Sequence, residues 1–185
     1  NKTGNANAFK SSSVLASGKW YKLAITRDGV YKLDFLFLNN LGINMGAIDP
    51  KNIRIYGNGG VILAEQNEDF RYDDLEENAI VVVGENDNVF NTTDHVLFYG
   101  KGMTRWDKRF NYKGLLFSPQ NNFYSDTTFY YLNVDIGPGK RIASQNSVAS
   151  PTNVSTSTYD YYNCHELDQI NFVKSGRNMY GEYFD

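Results

Sequence analysis

The stretch Lys19-Trp20-Tyr21-Lys22-Leu23-Ala24-Ile25-Thr26-Arg27-Asp28-Gly29-Val30-Tyr31-Lys32-Leu33 decides the fold class. In its first run Trp20, Lys22, Ala24 and Thr26 alternate with Tyr21, Leu23 and Ile25; in its second Val30 and Lys32 alternate with Tyr31 and Leu33. A period of two belongs to a strand, whose successive side chains point to opposite faces. Arg27-Asp28-Gly29 is a turn signal, so the stretch predicts a β-hairpin.

The pattern changes immediately afterwards. Phe35, Leu36, Leu38 and Leu41 fall at helical spacing, with Asp34 as N-cap and Gly42 as stop, which predicts one short helix. Further strands are expected at Asn52–Tyr56, Asp94–Tyr99, Leu115–Ser118, Thr127–Val134, Lys140–Ala143 and Tyr159–Leu167. Gly57-Asn58-Gly59-Gly60 should turn the chain sharply, through positive φ, into a returning strand at Val61–Ala64. Ala79–Val83 is continuously apolar and reads as a central strand. Glu85-Asn86-Asp87-Asn88 and Pro119-Gln120-Asn121-Asn122 read as turns, and Gln145–Thr158 as an exposed loop. About eight to ten short strands and one helix, without βαβ alternation, describe an all-β antiparallel sandwich. Residues 1–17 are small and polar, a flexible arm anchored only by Val14 and Leu15, ahead of a sandwich domain over 18–185.

Composition agrees. The 185 residues are 41% hydrophobic, 21% charged and 15% aromatic, which is a globular rather than a disordered composition for one domain. Fourteen Tyr and 12 Phe suit half-buried pleated surfaces. A net charge of −3 offers no basic surplus for phosphates, so nucleic acid is not an expected partner. No apolar run approaches the roughly 20 residues of a membrane span. One cysteine, Cys164, excludes an internal disulfide and a multi-cysteine zinc site.

A cysteine nucleophile needs a base that meets it in space. Cys164 could pair only with His95 or His165; on a strand His165 points to the opposite face, and nothing supports His95, so Cys164 reads as a structural cysteine. The run Glu68, Asp69, Asp73, Asp74, Glu76, Glu77 lacks the spaced order of a calcium loop and reads as a solvated charge run. No catalytic, cofactor or metal site is expected. The aromatic-basic residues Arg105, Trp106, Arg109, Phe110 and Tyr112 are the candidate partner-binding surface, at an end or edge of a sheet. With Phe123 and Tyr124 nearby they are also of the kind that stacks on a sugar, and the alternative to any binding role is that they fill the core.

Several words resemble one family in order and spacing from Ser13 onward. They are Gly18-Lys19-Trp20-Tyr21-Lys22-Leu23, Gly29-Val30-Tyr31-Lys32-Leu33, Asn52-Ile53-Arg54-Ile55-Tyr56-Gly57-Asn58-Gly59-Gly60 and Asp74-Leu75-Glu76-Glu77-Asn78-Ala79. After them come His95-Val96-Leu97-Phe98-Tyr99-Gly100, Tyr124-Ser125-Asp126, His165-Glu166, Ser175-Gly176-Arg177 and Tyr180-Gly181-Glu182. The chain resembles the N-terminal region of the sortase-like, gingipain-type (family C25) cysteine peptidases of the type IX secretion system of Bacteroidetes. The resemblance implies an outer-membrane, cell-surface enzyme, periplasmic before assembly. Such enzymes remove the C-terminal targeting domain of cargo and join the new end to an anionic lipopolysaccharide. It places the catalytic His and Cys in a downstream domain, so the expectation for this chain is a non-catalytic docking module. Its partners would be its own peptidase domain, an outer-membrane β-barrel and other attachment proteins. The alternatives are a gingipain-like inhibitory or folding prodomain and, outside the family, a carbohydrate-binding sandwich.

Overall fold

A computed structural model describes residues 9–66, 68–111, 114–147, 150, 154–158, 170–176 and 180–181. Its strands are β1 (Tyr21–Ile25), β2 (Gly29–Asp34), β3 (Arg54–Tyr56), β4 (Glu77–Asn78), β5 (Val81–Val83), β6 (His95–Gly100), β7 (Thr104–Asn111), β8 (Gly114–Asn121) and β9 (Thr128–Asn133). The helix α1 spans Phe35–Asn40; the Asp34 carboxylate accepts from the Phe37 amide at its start, and Gly42, at φ +86°, ends it. Antiparallel pairing builds a four-stranded sheet, β1-β9-β3-β4, a three-stranded sheet, β2-β6-β5, and a separate two-stranded ribbon, β7-β8. The all-β, sandwich-like class with one helix therefore holds.

The inner faces follow the alternation in the sequence. Leu23, Ile25, Ile55, Tyr130 and Leu132 from the first sheet meet Leu33, Val82, Val96 and Phe98 from the second. Leu38 of α1, Ile43, Met45, Ile53, Ile80 and Phe90 complete the core. Phe98 joins the layers, with its ring 5.5 Å from Tyr130 and 5.6 Å from Tyr31. The Tyr130 hydroxyl accepts from the Lys101 amide, so this phenol is buried without an orphaned oxygen. Asn133, fully buried, donates to the Lys19 carbonyl and accepts from the Asp135 and Ile136 amides, clamping the end of β9 to the approach of β1.

The predicted hairpin does not form. β1 pairs with β9 and β2 with β6, so the chain changes sheets at Thr26–Asp28. The corner is fixed by a distant segment: Asp28 accepts from the Gly102 amide of the β6–β7 connection, while Tyr31 braces the corner by donating to the Arg27 carbonyl. Ala79–Val83 is likewise a crossing rather than a central strand. It leaves β4 in one sheet and enters β5 at an edge of the other, with buried Ile80 between. Ile80 bridges the segment at Arg141, the one bridged position of the strand expected at Lys140–Ala143. The Arg141 guanidinium holds that segment by donating to the carbonyls of Pro50, Lys51 and Ile53 and pairing with Glu85 at 2.8 Å.

Three smaller expectations also change. Val61–Ala64 is not a strand, because the Gly57 amide donates to Glu76 instead of opening a hairpin. Of the Gly57–Gly60 glycines only Gly59 has positive φ; Gly57 and Gly60 are needed for close approach, since a Cβ would overlap the Tyr130 ring and the Met103 sulfur, respectively. The residues Pro119–Asn121 continue β8 rather than break it. The strand expected at Tyr159–Leu167 lies outside the described residues.

Candidate functional site

The candidate surface is the ribbon. Thr104 and Asn121 are bonded at its base at 2.7 Å, and Asn122 ties the base to the sandwich by donating to the Gly60 carbonyl. The register sets Trp106 opposite Pro119, Lys108 opposite Phe117 and Phe110 opposite Leu115, so these six share one apolar face. Arg105 and Asp107 share the other, where they pair at 2.8 Å and Arg105 also donates to Gln120. The Lys108 ammonium lies 6.0 Å from the Phe117 ring, at the limit of a cation–π contact. Phe110 is 83% exposed and Leu115 also open to solvent, while Trp106 is half-buried. Among the described residues the ribbon's extensive packing is that of β7 on β8.

Of the predicted partner-binding residues, the structure brings Arg105, Trp106, Arg109 and Phe110 onto β7, with Arg109 in register with Leu116. Tyr112 lies outside the described residues. Phe123 and Tyr124, just beyond β8, are both exposed. The alternation of β7 is in the sequence, Trp106, Lys108 and Phe110 against Arg105, Asp107 and Arg109, but its basic residues mask the strand signal.

A second concavity, of about 180 Å³, lies where Gly57 passes the Tyr130 ring, with Asn58, Tyr72, Glu76, Asn78, Tyr99 and Lys101 around it. The Asn58 and Asn78 amides are engaged with backbone groups at Asp74, Glu76 and Gly57, which fixes the lining. Burial, then the charge of Asp28 and a hydrogen bond to it, push the Tyr99 phenol up, so it stays neutral at pH 7. Among the described residues the lining carries no thiol, imidazole or serine hydroxyl.

The acidic run is not uniformly solvated. Asp74 is nearly buried and accepts from the amides of Val14 (2.6 Å) and Leu75 and from the Ser13 hydroxyl, with Lys10 at 3.8 Å. Asp73 accepts from the Lys10 amide, so the polar N-terminal stretch is tied here from Lys10 to Val14. Glu77 pairs with Arg54 at 3.7 Å and accepts from the Lys140 amide. Burial works to raise the Asp74 carboxyl, but the Val14 and Leu75 amides, the Ser13 hydroxyl and the Lys10 charge together hold it below the usual value. Among the described residues no group of three or more His, Cys, Asp or Glu is placed to hold a metal, and no helix is long and apolar enough to cross a membrane. The Nδ1 of His95, at the start of β6, is buried without a partner among the described residues. Cys164 and His165 lie outside them.

No protein-family model matches this chain, and no curated protein matches it. Among solved structures it is similar to dimeric latent PorU from Porphyromonas gingivalis, with a TM-score of 0.52 and 26% sequence identity over 75% of this chain. The match covers 11% of the PorU chain, so this chain corresponds to a small part of that protein.

Proposed function

We propose that the chain is a non-catalytic docking module of a type IX secretion C-terminal-signal peptidase of the PorU kind, working at the outer membrane and cell surface. The observation that supports this reading is the match itself: it takes in 75% of this chain but 11% of PorU, and in this reading the chemistry belongs to the remainder. The ribbon supplies a means, an apolar face with basic residues beside it, the make-up of an interface anchor. Its partners in this reading are the peptidase domain of the same protein, an outer-membrane β-barrel and other attachment proteins.

Co-purification tests it. The sandwich should capture the peptidase domain or the barrel partner, and Trp106→Ala should weaken capture by roughly 2 kcal/mol, about 30-fold in Kd, with little change in melting temperature. If Trp106→Ala instead costs about 3–5 kcal/mol of folding stability and leaves capture intact, Trp106 is core and the anchor is misassigned. No capture by the wild-type chain would refute the docking reading. The latent state of the similar PorU favours a second reading, an inhibitory prodomain. That one requires inhibition of the peptidase when the sandwich is added in trans, and its loss from the mature protein by intact mass.

A further inference from the structure

The concavity beside Gly57 is walled by both layers of the sandwich. Gly57 follows β3 and Asn78 ends β4, in the four-stranded sheet, while Tyr99 lies on β6 of the other sheet and Lys101 just after it. Ala79 stands where the chain crosses from one sheet to the other, and a side chain larger than its methyl would take up part of the space. Tyr72 and Tyr99 are 49% and 51% exposed, so aromatic surface is open to solvent at the mouth. At about 180 Å³ the concavity is smaller than the roughly 300 Å³ at which pockets for drug-sized ligands begin, and it suits a single small ring.

Its lining combines phenol rings with polar groups of both signs. The Tyr99 hydroxyl is engaged with Asp28 and the Tyr130 hydroxyl with the Lys101 amide, so these two offer ring rather than oxygen. Among the described residues the Glu76 carboxylate and the Lys101 ammonium form no ion pair, with each other or with a third group, and both residues are exposed. Asn78 donates its NH2 to the Gly57 and Glu76 carbonyls, which leaves its Oδ1 as an acceptor. The site thus has two acceptors, one charged donor and aromatic rings, and its two charges cancel.

That inventory selects the ligand. A cation would meet Lys101, an anion would meet Glu76, and an apolar ring would strip water from both with nothing to answer them. A free amino acid would match the two charges, but ion pairs to side chains this exposed contribute little, and the rings would go unused. A sugar ring engages every group. Its hydroxyls donate to the carboxylate and accept from the ammonium, and the positively polarised C–H groups of its face pack on the negative face of an aromatic ring. We propose that the concavity lined by Tyr72, Glu76, Asn78, Tyr99 and Lys101 is a binding site for one uncharged pyranose unit of a glycan. It shares no lining residue with the ribbon and does not depend on the docking reading.

The probes are the methyl glycosides of glucose, galactose and mannose, each titrated into the isotope-labelled 185-residue chain and followed by amide chemical shifts, with glycine as the control. A ligand of this size with ordinary affinity per atom has a Kd of about 1 mM. At least one glycoside should give saturable shifts centred on Gly57, Asn78, Ala79 and Lys101 with a Kd near that value, and glycine should give none. Tyr72→Ala removes a half-exposed ring, and Glu76→Ala removes the carboxylate while leaving the Glu76 backbone bonds to Asn58 and Asn78 in place. Each should weaken binding at least tenfold at an unchanged melting temperature. Where either variant melts early, Lys101→Met takes its place with the same expected loss. No saturable shift with any glycoside, shifts centred on Trp106 and Phe110 instead, glycine binding at the same residues, or full affinity in a folded variant would each overturn the proposal. None of these results bears on the co-purification assay, which reads the docking surface.

Discussion

Replacing Asp74 by asparagine should loosen the chain at the point where its N-terminal stretch is tied down. The carboxylate takes hydrogen bonds on both oxygens: Oδ2 from the Val14 amide at 2.6 Å, Oδ1 from the Leu75 amide at 2.8 Å and the Ser13 hydroxyl at 2.9 Å. Asparagine keeps one acceptor and turns an NH2 toward a backbone N–H, so at least one partly buried donor loses its partner. A hydrogen bond to a charged group is worth about 1.5–3 kcal/mol, and bonds to one carboxylate are not additive, so the expected loss is about 2–3 kcal/mol at pH 7. Urea denaturation at neutral pH should then show the midpoint falling by about 1 M. The pH dependence adds a second requirement. The folded-state pKa of Asp74 is lowered, so its contribution is fully present above the unfolded value near ~3.9 and is lost as pH falls through the folded pKa. The gap between wild type and Asp74→Asn should therefore close in acid. Equal midpoints at pH 7, or a gap that persists in acid, would refute the assignment of Asp74 as the tie.

The remaining predictions concern packing and chemistry. Gly60→Ala should lower the melting temperature because its methyl overlaps the Met103 sulfur, and Met103→Ala in the same chain should recover part of the loss, a coupling of at least about 1 kcal/mol; strict additivity would mean that the close approach is not the cause. Millimolar calcium should leave the melting temperature unmoved, since Asp74 and Glu77 are engaged in hydrogen bonds and ion pairs; a rise reversed by chelator would identify a site formed only in the folded state. Purified chain should not cleave peptide substrates, and activity abolished by Cys164→Ser would contradict the non-catalytic reading proposed above.

Most elements were legible in the sequence, and most of their partnerships were not. The period of two located β1 and β2, runs rich in strand formers between turn residues located β6 and β9, and Asp34 with Gly42 bounded α1, because these signals depend on residues close in the chain. Arg27-Asp28-Gly29 misled for the same reason. A local turn signal is indifferent to whether the next strand lies beside the last or in the opposite layer, and here the decision belongs to the Asp28–Gly102 bond, made far along the chain. Ala79–Val83 looked central because burial on both faces and passage between two sheets leave the same apolar run. The charges of β7 disguised a strand as a surface patch. Asp74 and Glu77 shared their composition with solvated neighbours, and only the arrival of Val14 and Lys140 sets them apart.

The change of sheet at Thr26–Asp28 bears on how the chain reaches its fold. Because consecutive strands do not pair, Leu23 finds its place opposite Tyr130, and Leu33 opposite Val96. Such distant partners make loop closure costly before any contact rewards it, and sandwiches of this kind fold in milliseconds to seconds rather than microseconds. During synthesis β1 emerges before β9 and stays without its ladder until β9 follows, about a hundred residues later. β7 and β8, next to each other in sequence, are free to pair long before that. Folding begun at the ribbon and finished at β9 would leave the first sheet as the last structure to form and the first to open.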